Sequence, residues 1–297
     1  MTPMSPLRRR NRVIRGAIAA VTALLVCIAA LFLWLRLNEN AIVFHPEKGA
    51  LSPPAAELNL DSRDITFPST DGVALVARLI PPPATVPASA AGWILYLHGA
   101  GANIGVAGYN EAWSQFRRMG LGVLAVDYRG FGQSAGEPTE AGLYRDADAA
   151  FAHLTGTLGI PTSRIIIYGY SLGSAVAIDL ATRVTVAGLM VEGAFLSVPR
   201  RGAERYPFLP ISWLMRNRFA SEEKIDRVSV PKLFLHGRDD DAIPVAHAQA
   251  LFGLAREPKK LAIMAGGHVD AYKVDPAFFP TVAGFVRDCG LQVLPTN

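Results

Sequence analysis

From residue 93 onward, short apolar runs alternate with stretches of helical character, and that alternation leaves few folds open. Strand-like runs fall at residues 93–97, 122–126, 164–168, 188–191, 232–235 and 260–264. Helical stretches fall at 111–119, 141–158, 171–183, 242–255 and 278–289. Strands joined through helices run parallel, so the pattern predicts a mostly parallel sheet covered by helices on both faces. Two earlier runs, 63–67 and 73–80, flank the turn residues Ser69-Thr70-Asp71-Gly72 and predict an antiparallel hairpin at the sheet's edge. Eight strands result. The chain shows no internal repeat or low-complexity tract that would argue for a solenoid or a disordered arm.

One junction in this pattern carries chemistry. Gly169-Tyr170-Ser171-Leu172-Gly173 follows the apolar run Ile165-Ile166-Ile167-Tyr168 and precedes the helix-like Ser174-Ala175-Val176-Ala177-Ile178. A serine there sits on a tight strand-to-helix turn with its hydroxyl clear of the sheet edge. Glycines are needed on either side because a side chain would collide where strand and helix approach. The pentapeptide alone turns up by chance in roughly one chain in ten of this composition. The weight therefore rests on the strand before it and the helix after it.

The front of the chain differs from the rest. Residues 16–35 hold no charged side chain, and twenty helical residues span about 30 Å, the thickness of a bilayer's hydrocarbon core. The basic leader suits a cleaved signal peptide, but the apolar run is too long and no A-x-A site follows, so it reads as an uncleaved anchor. Arg8, Arg9, Arg10, Arg12 and Arg15 precede it, whereas only Arg36 follows closely, with Glu39 soon offsetting that charge. The positive-inside bias puts the N-terminus in the cytoplasm and the remainder on the outer side of the cell membrane.

The whole chain carries a formal charge of +4, but residues 1–36 supply six arginines and no acid. The remainder therefore has 23 basic against 25 acidic side chains. The main domain thus lacks a basic field for nucleic acid. Cys27 falls in the apolar run and Cys289 near the C-terminus, so both read as small apolar fillers rather than a disulfide or a nucleophile. The expected organisation is a basic tail at 1–15, a transmembrane anchor at 16–35, a juxtamembrane connector at 36–60 able to pack on the domain, and the catalytic domain at 61–297.

A serine nucleophile needs a base and a group to orient that base. His268, after Gly266-Gly267 and the last predicted strand, is the candidate base. His98 and His236 each precede glycine at a strand end and read as loop-locking residues. His45 falls in the connector, and His153 and His247 fall in helical patterns with surface or packing roles. The acid belongs between nucleophile and base. Asp239, Asp240 and Asp241 all follow the seventh strand in that interval, and Glu192 after the sixth strand is a further possibility. The tetrahedral intermediate needs two donors. The N–H of Leu172 is one by elbow geometry, and that of Ala100, in the small-residue run after His98, is the second unless the run is a plain glycine-rich turn. No metal-ligand spacing and no nucleotide-binding loop is evident, so no cofactor is expected.

Leu97-His98-Gly99, Asp127-Tyr128-Arg129-Gly130-Phe131-Gly132-Gln133-Ser134, the serine pentapeptide, His236-Gly237 with Asp240 and Pro244, and Gly266-Gly267-His268 together resemble membrane-anchored α/β-hydrolases of the serine-aminopeptidase-like family. The resemblance spans roughly residues 40–290 and is far more specific than any single motif. It implies the α/β-hydrolase fold and selects Asp240 as the triad acid. Relatives in that family include monoacylglycerol lipases, lysophospholipases and protein depalmitoylases, which implies an acyl ester or thioester substrate, and the anchor suggests a lipid-like or membrane-near one. The run at 127–134 reads as a brace for the loop after the fourth strand. Residues 194–224 read as a short lid. Its Phe208-Leu209-Pro210-Ile211 and Trp213-Leu214-Met215 would either form an acyl pocket over Ser171 or complete the core. Arg200, Arg201 and Arg205 there would meet anionic headgroups or form a solvated face. The expectation is a serine hydrolase of the carboxylesterase, lipase or thioesterase type. A peptidase or aminopeptidase, an acyltransferase and a non-catalytic scaffold are the rivals.

Overall fold

The computed structural model describes residues 6–295. It begins with a long helix, α1 (Pro6–Leu37), and a one-and-a-half-turn helix, α2 (Glu39–Phe44). The hairpin β1 (Arg63–Pro68) and β2 (Ala74–Ile80) follows, then β3 (Trp93–Leu97), α3 (Ala107–Arg118), β4 (Gly122–Asp127), α4 (Glu140–Ala152), β5 (Ile165–Tyr170) and α5 (Leu172–Ala181). The second half contains β6 (Gly188–Glu192), α6 (Val198–Arg205), α7 (Ile211–Leu214), β7 (Lys232–Gly237), α8 (Ala246–Leu254), β8 (Lys259–Met264), α9 (Ala271–Val274) and α10 (Phe278–Asp288).

The strands form one sheet in the order β1-β2-β4-β3-β5-β6-β7-β8. The β1–β2 and β2–β4 pairs are antiparallel, and every other pair is parallel. This is the α/β-hydrolase fold. Alternation along each strand divides the core into two layers. Leu95, Leu97, Ile165, Ile167, Leu189 and Val191 face one layer with residues of α5 and Leu251 of α8. Ile94, Tyr96, Ile166, Tyr168 and Met190 face the other, against Trp113 and Phe116 of α3 and Phe278, Val282, Phe285 and Val286 of α10. The i, i+4, i+7, i+8 spacing of that α10 stripe makes one continuous apolar face. Each such side chain contributes about 1.5–3 kcal/mol on burial.

Several boundaries depart from the sequence expectation for local reasons. Helix α3 starts four residues early because Asn103 folds the chain into a turn, its Oδ1 accepting from Gly105 N at 2.8 Å and its carbonyl from Val106 N at 3.2 Å. Helix α8 starts four residues late because Asp240 Oδ1 takes the Ile243 N–H at 2.7 Å and holds 240–243 as a turn. The expected helix at 141–158 ends as α4 at Ala152 and widens into a π turn at His153–Thr157. Strand β5 extends to Tyr170, whose partner in β6 is Glu192.

Helix α1 is continuous through the expected tail and span, and residues 1–5 of that tail lie outside the described residues. Arg10–Leu37 is long and apolar enough to cross a membrane. The segment behind it is tied into the domain. Buried Glu39 accepts from Arg216 N at 2.7 Å, from Asn217 N at 2.6 Å and from Asn217 Nδ2 at 2.9 Å. Glu140, in the first turn of α4, takes the next two amides, Arg218 N at 2.6 Å and Phe219 N at 2.9 Å. Two carboxylates thus capture four successive backbone N–H groups. Phe44 is fully buried edge-on against Phe219, and its carbonyl accepts from Gly101 N at 3.0 Å. Further along, Gly132 N donates to Glu47 O at 2.8 Å and Gly49 N to Gly132 O at 2.9 Å.

Candidate active site

The parallel strands end along one edge, where ligands of open α/β sheets collect. The turn from β5 to α5 places Ser171 at that edge with φ 51° and ψ −119°, a conformation that side-chain-bearing residues rarely adopt. The neighbouring chain enforces it: a Cβ on Gly173 would lie 2.0 Å from Leu97 O, and one on Gly169 would lie 2.4 Å from Gly173 O. The Ser171 amide donates to Glu192 O at 2.8 Å, which continues the β5–β6 ladder into the turn.

His268 arrives from the loop after β8. Its backbone is steered by Gly266 at φ +100°, by Gly267 N donating to Asp270 Oδ1 at 2.6 Å, and by Tyr170 Oη donating to His268 O at 2.9 Å. The imidazole stands between the other two expected residues: Nε2 is 2.9 Å from Ser171 Oγ, and Nδ1 is 2.7 Å from Asp240 Oδ2. Ser171, Asp240 and His268 therefore form one hydrogen-bonded chain.

Among the three adjacent aspartates, Asp239 and Asp241 are exposed and Asp240 is buried. Burial opposes ionisation of Asp240. Hydrogen bonding from His236 and His268 and from the Ile243 N–H outweighs it and holds the carboxyl well below the usual carboxylate range. His236 donates through Nε2 to Ile243 O at 2.7 Å and lies 3.3 Å from Asp240 Oδ2, so it buttresses both the turn and the acid. Its place beside the acid could not be read from sequence, where only the following glycine marked it as a loop-locking residue.

The remaining expected residues also have definite places. His98 is buried at the end of β3, with Nδ1 2.7 Å from Gly99 O. His153 stacks on Phe67, and His247 accepts from Leu196 N and contacts Glu204. The 127–134 run braces its loop: Asp127 Oδ1 accepts from Ile104 N at 2.8 Å, Arg129 pairs with Asp146 and Asp71, and Ser134 Oγ donates to Asp127 O at 2.7 Å. Leu172 opens α5, where a helix leaves its first N–H groups without intrahelical partners, and Ala100 lines the cavity above Ser171.

That cavity, of about 320 Å³, holds Ser171 and His268 in its wall. The segment expected to form an acyl pocket contributes nothing to it: Phe208 and Trp213 point into the surroundings, neither over Ser171 nor into the core. Tyr96, Tyr109, Tyr168, Tyr170, Tyr272 and Glu192 line it instead. Tyr96 and Tyr168 are register partners on β3 and β5 with rings stacked at 5.1 Å, and Tyr170 and Glu192 are register partners on β5 and β6. These side chains share one face because strand positions two apart do. The sequence offers Glu192 only as an alternative triad acid, yet its carboxyl bonds Tyr168 Oη and makes no hydrogen bond to His268. Burial pushes the Glu192 carboxyl up to about 7, with the Tyr168 hydrogen bond partly opposing the shift.

The pattern of the Alpha/beta hydrolase family matches residues 94–284, and the chain belongs to that family. It is 31% identical over 259 residues to "Uncharacterized protein Rv2307c" of Mycobacterium tuberculosis, covering 87% of this chain and 89% of the relative. Among solved structures, the esterase Pf2001 of Pyrococcus furiosus superposes with a TM-score of 0.66 at 20% identity, over 80% of this chain and 99% of that one. A puromycin hydrolase superposes with a TM-score of 0.65 at 20% identity, over 83% of this chain and 42% of that one. At these identities the two structures share the fold, and family membership supports hydrolase activity in general.

Proposed function

We propose that this chain is a membrane-anchored serine hydrolase that cleaves carboxylic acyl esters or thioesters, with Ser171 as nucleophile, His268 as base and Asp240 as the acid that orients it. The observation that carries this reading is His268 bridging Ser171 Oγ at 2.9 Å and Asp240 Oδ2 at 2.7 Å. Ser171 Oγ attacks the carbonyl carbon while its proton passes to His268 Nε2, and the new oxyanion meets the N–H groups of Leu172 and Ala100. Collapse expels the alcohol or thiol, which takes the proton from His268. Water then attacks the acyl-enzyme by the same route and releases the acid.

Anchoring by residues 16–35 with the catalytic domain outside belongs to the same proposal, as does the division at 36–60 between anchor and domain. The Phe44–Gly101 hydrogen bond supports a lipid-like or membrane-near substrate, because it ties the loop carrying Ala100 to the residues just behind the anchor. Holding the site near the bilayer raises the local concentration of such substrates. Glu192 favours a second reading. A carboxyl on the cavity wall suits the ammonium of an aminoacyl substrate, which would make the enzyme an aminopeptidase-like amide hydrolase on the same triad.

Fluorophosphonate labelling of the wild type but not of Ser171→Ala is the expected result, and no Ser171-dependent label in folded protein would favour a non-catalytic scaffold. A panel of p-nitrophenyl esters of varied chain length beside aminoacyl anilides then separates the two substrate classes. Preference for anilides would overturn the ester reading.

A further inference from the structure

The segment between α6 and the 216–219 strap presents large aromatic side chains that the protein leaves uncovered. Phe208 is 97% exposed, Trp213 87% and Tyr206 56%. Ile211 beside them is buried and packs against Gly202 of α6, so the segment is seated on the domain while its three aromatic side chains stay exposed. Leaving side chains of this size in water forgoes the stabilisation that their burial would bring. Scattered apolar residues need no explanation, but a cluster on one short segment does.

What lies beside the cluster identifies its occupant. Helix α7 packs against the C-terminal turns of α1. Arg36 Nη1 donates to Leu214 O at 2.7 Å, and Arg216 Nη2 donates to Arg36 O at 3.0 Å. Phe32 and Leu35 are half-buried while Leu31, Leu33 and Trp34 around them are exposed. Phe32 lies one helical turn, about 6 Å, inside Arg36. Helix α7, which carries Trp213, therefore stands level with the last turn of the apolar helix, where a membrane passes from hydrocarbon to headgroups, and Phe208 and Tyr206 precede it on the same short segment. Tryptophan and other amphipathic aromatics concentrate at that depth, as do arginines such as Arg36 and Arg216. The Glu39 and Glu140 hydrogen bonds to residues 216–219 hold the segment at this level without help from a ligand.

We infer that Phe208, Trp213 and Tyr206 form a second membrane contact, inserted in the interfacial region of the same leaflet that receives the C-terminal end of α1. The inference rests on the reading of α1 as a membrane anchor. It gives the expected lid segment a different task from roofing the cavity.

The test is site-directed spin labelling of the full chain in phosphatidylcholine–phosphatidylglycerol nanodiscs. In a Cys27→Ser/Cys289→Ser background, single cysteines replace Phe208, Trp213, Leu25 at mid-span and Val274 on the exposed α9. Collision with oxygen and with a water-soluble nickel chelate reports depth. Labels at 208 and 213 should give an oxygen-to-nickel ratio several-fold above that at 274 and below that at 25. Ratios at 208 and 213 equal to that at 274, with 25 reading as hydrocarbon, would overturn the membrane contact while leaving the anchor intact. Low accessibility to both reagents at 208 and 213 would mean that a second copy of the protein covers them, which also overturns it. A water-like ratio at 25 would remove the anchor and the contact together.

Discussion

Phe44 accepts, at its carbonyl, a 3.0 Å hydrogen bond from the backbone N–H of Gly101, so the residues that follow α1 hold the loop next to Ala100. Gly101 adopts φ +69°, and a Cβ there meets nothing closer than His45 Cβ at 3.9 Å. Gly101→Ala thus adds about 1–2 kcal/mol of backbone strain without a clash. If Ala100 supplies an oxyanion donor, displacing its loop should lower kcat for p-nitrophenyl esters by about tenfold or more with KM nearly unchanged, since a lost donor costs about 3 kcal/mol. An unaltered kcat in the folded variant would exclude that role.

The aspartate trio gives a sharp contrast. Asp240→Asn should reduce kcat by about 10⁴-fold through loss of the correct imidazole tautomer. Asp239→Asn and Asp241→Asn, both at exposed positions, should stay within about twofold of wild type. Steady-state kinetics on the three variants, with circular dichroism to verify folding, would reject the assignment if a flanking variant proved the damaging one.

Glu192 should make stability fall as pH rises. Its carboxyl ordinarily titrates at 4.5 and is pushed to about 7 in the folded protein, so folding favours the protonated form. That contribution is complete below the unfolded value and is lost as pH climbs through the folded one, a change of roughly 3 kcal/mol. Glu192→Gln stays neutral throughout. Thermal melts from about pH 5 to about pH 8 should fall less steeply for the variant than for wild type. Equal slopes would show that Glu192 does not titrate in this range.

Removing the Glu39 carboxylate should loosen the strap behind α1. Glu39→Ala leaves the Arg216 and Asn217 amides without their acceptor, at a cost of about 1–3 kcal/mol. Hydrogen exchange at residues 216–218 should quicken far more than in the β3–β6 core. Protection equal to wild type at those amides would mean that other groups hold the segment.

Gly173→Ala is expected to fail at folding rather than at catalysis. The new methyl would overlap Leu97 O at 2.0 Å, and the main chain of β3 cannot yield without moving the sheet. Loss of ~3 kcal/mol or more should show as a lowered melting point or insoluble protein. A variant as stable as wild type would indicate that the turn has more room than described.

Much of this arrangement was legible because local rules and the fold agreed. Alternating apolar runs defined the parallel strands, Ser69–Gly72 defined the edge hairpin, and glycines at 169, 173, 266 and 267 marked the two turns that bring Ser171 and His268 together. What stayed hidden depends on side chains meeting across elements. Tyr96, Tyr168, Tyr170 and Glu192 lie on separate strands, and only the register assembles them into a cavity wall. The helix starts at Ala107 and Ala246 are hidden in the sequence because Asn103 and Asp240 capture nearby amides, a competition that apolar periodicity does not register. Phe208 and Trp213 read as core or pocket because hydrophobicity alone does not say whether a side chain ends inside the fold or on its surface.

The double clamp of Glu39 and Glu140 on residues 216–219 also bears on motion at the bilayer. A catalytic domain on a loose tether would tumble and sample every bearing relative to the lipid plane. Clamped on both sides, the strap ties the residues behind α1 to α4, so if α1 is inserted as proposed, the height and tilt of the cavity mouth are set by the fold. How far a scissile bond must rise out of the leaflet is then a selection rule in its own right, set by architecture and separate from the shape of the cavity.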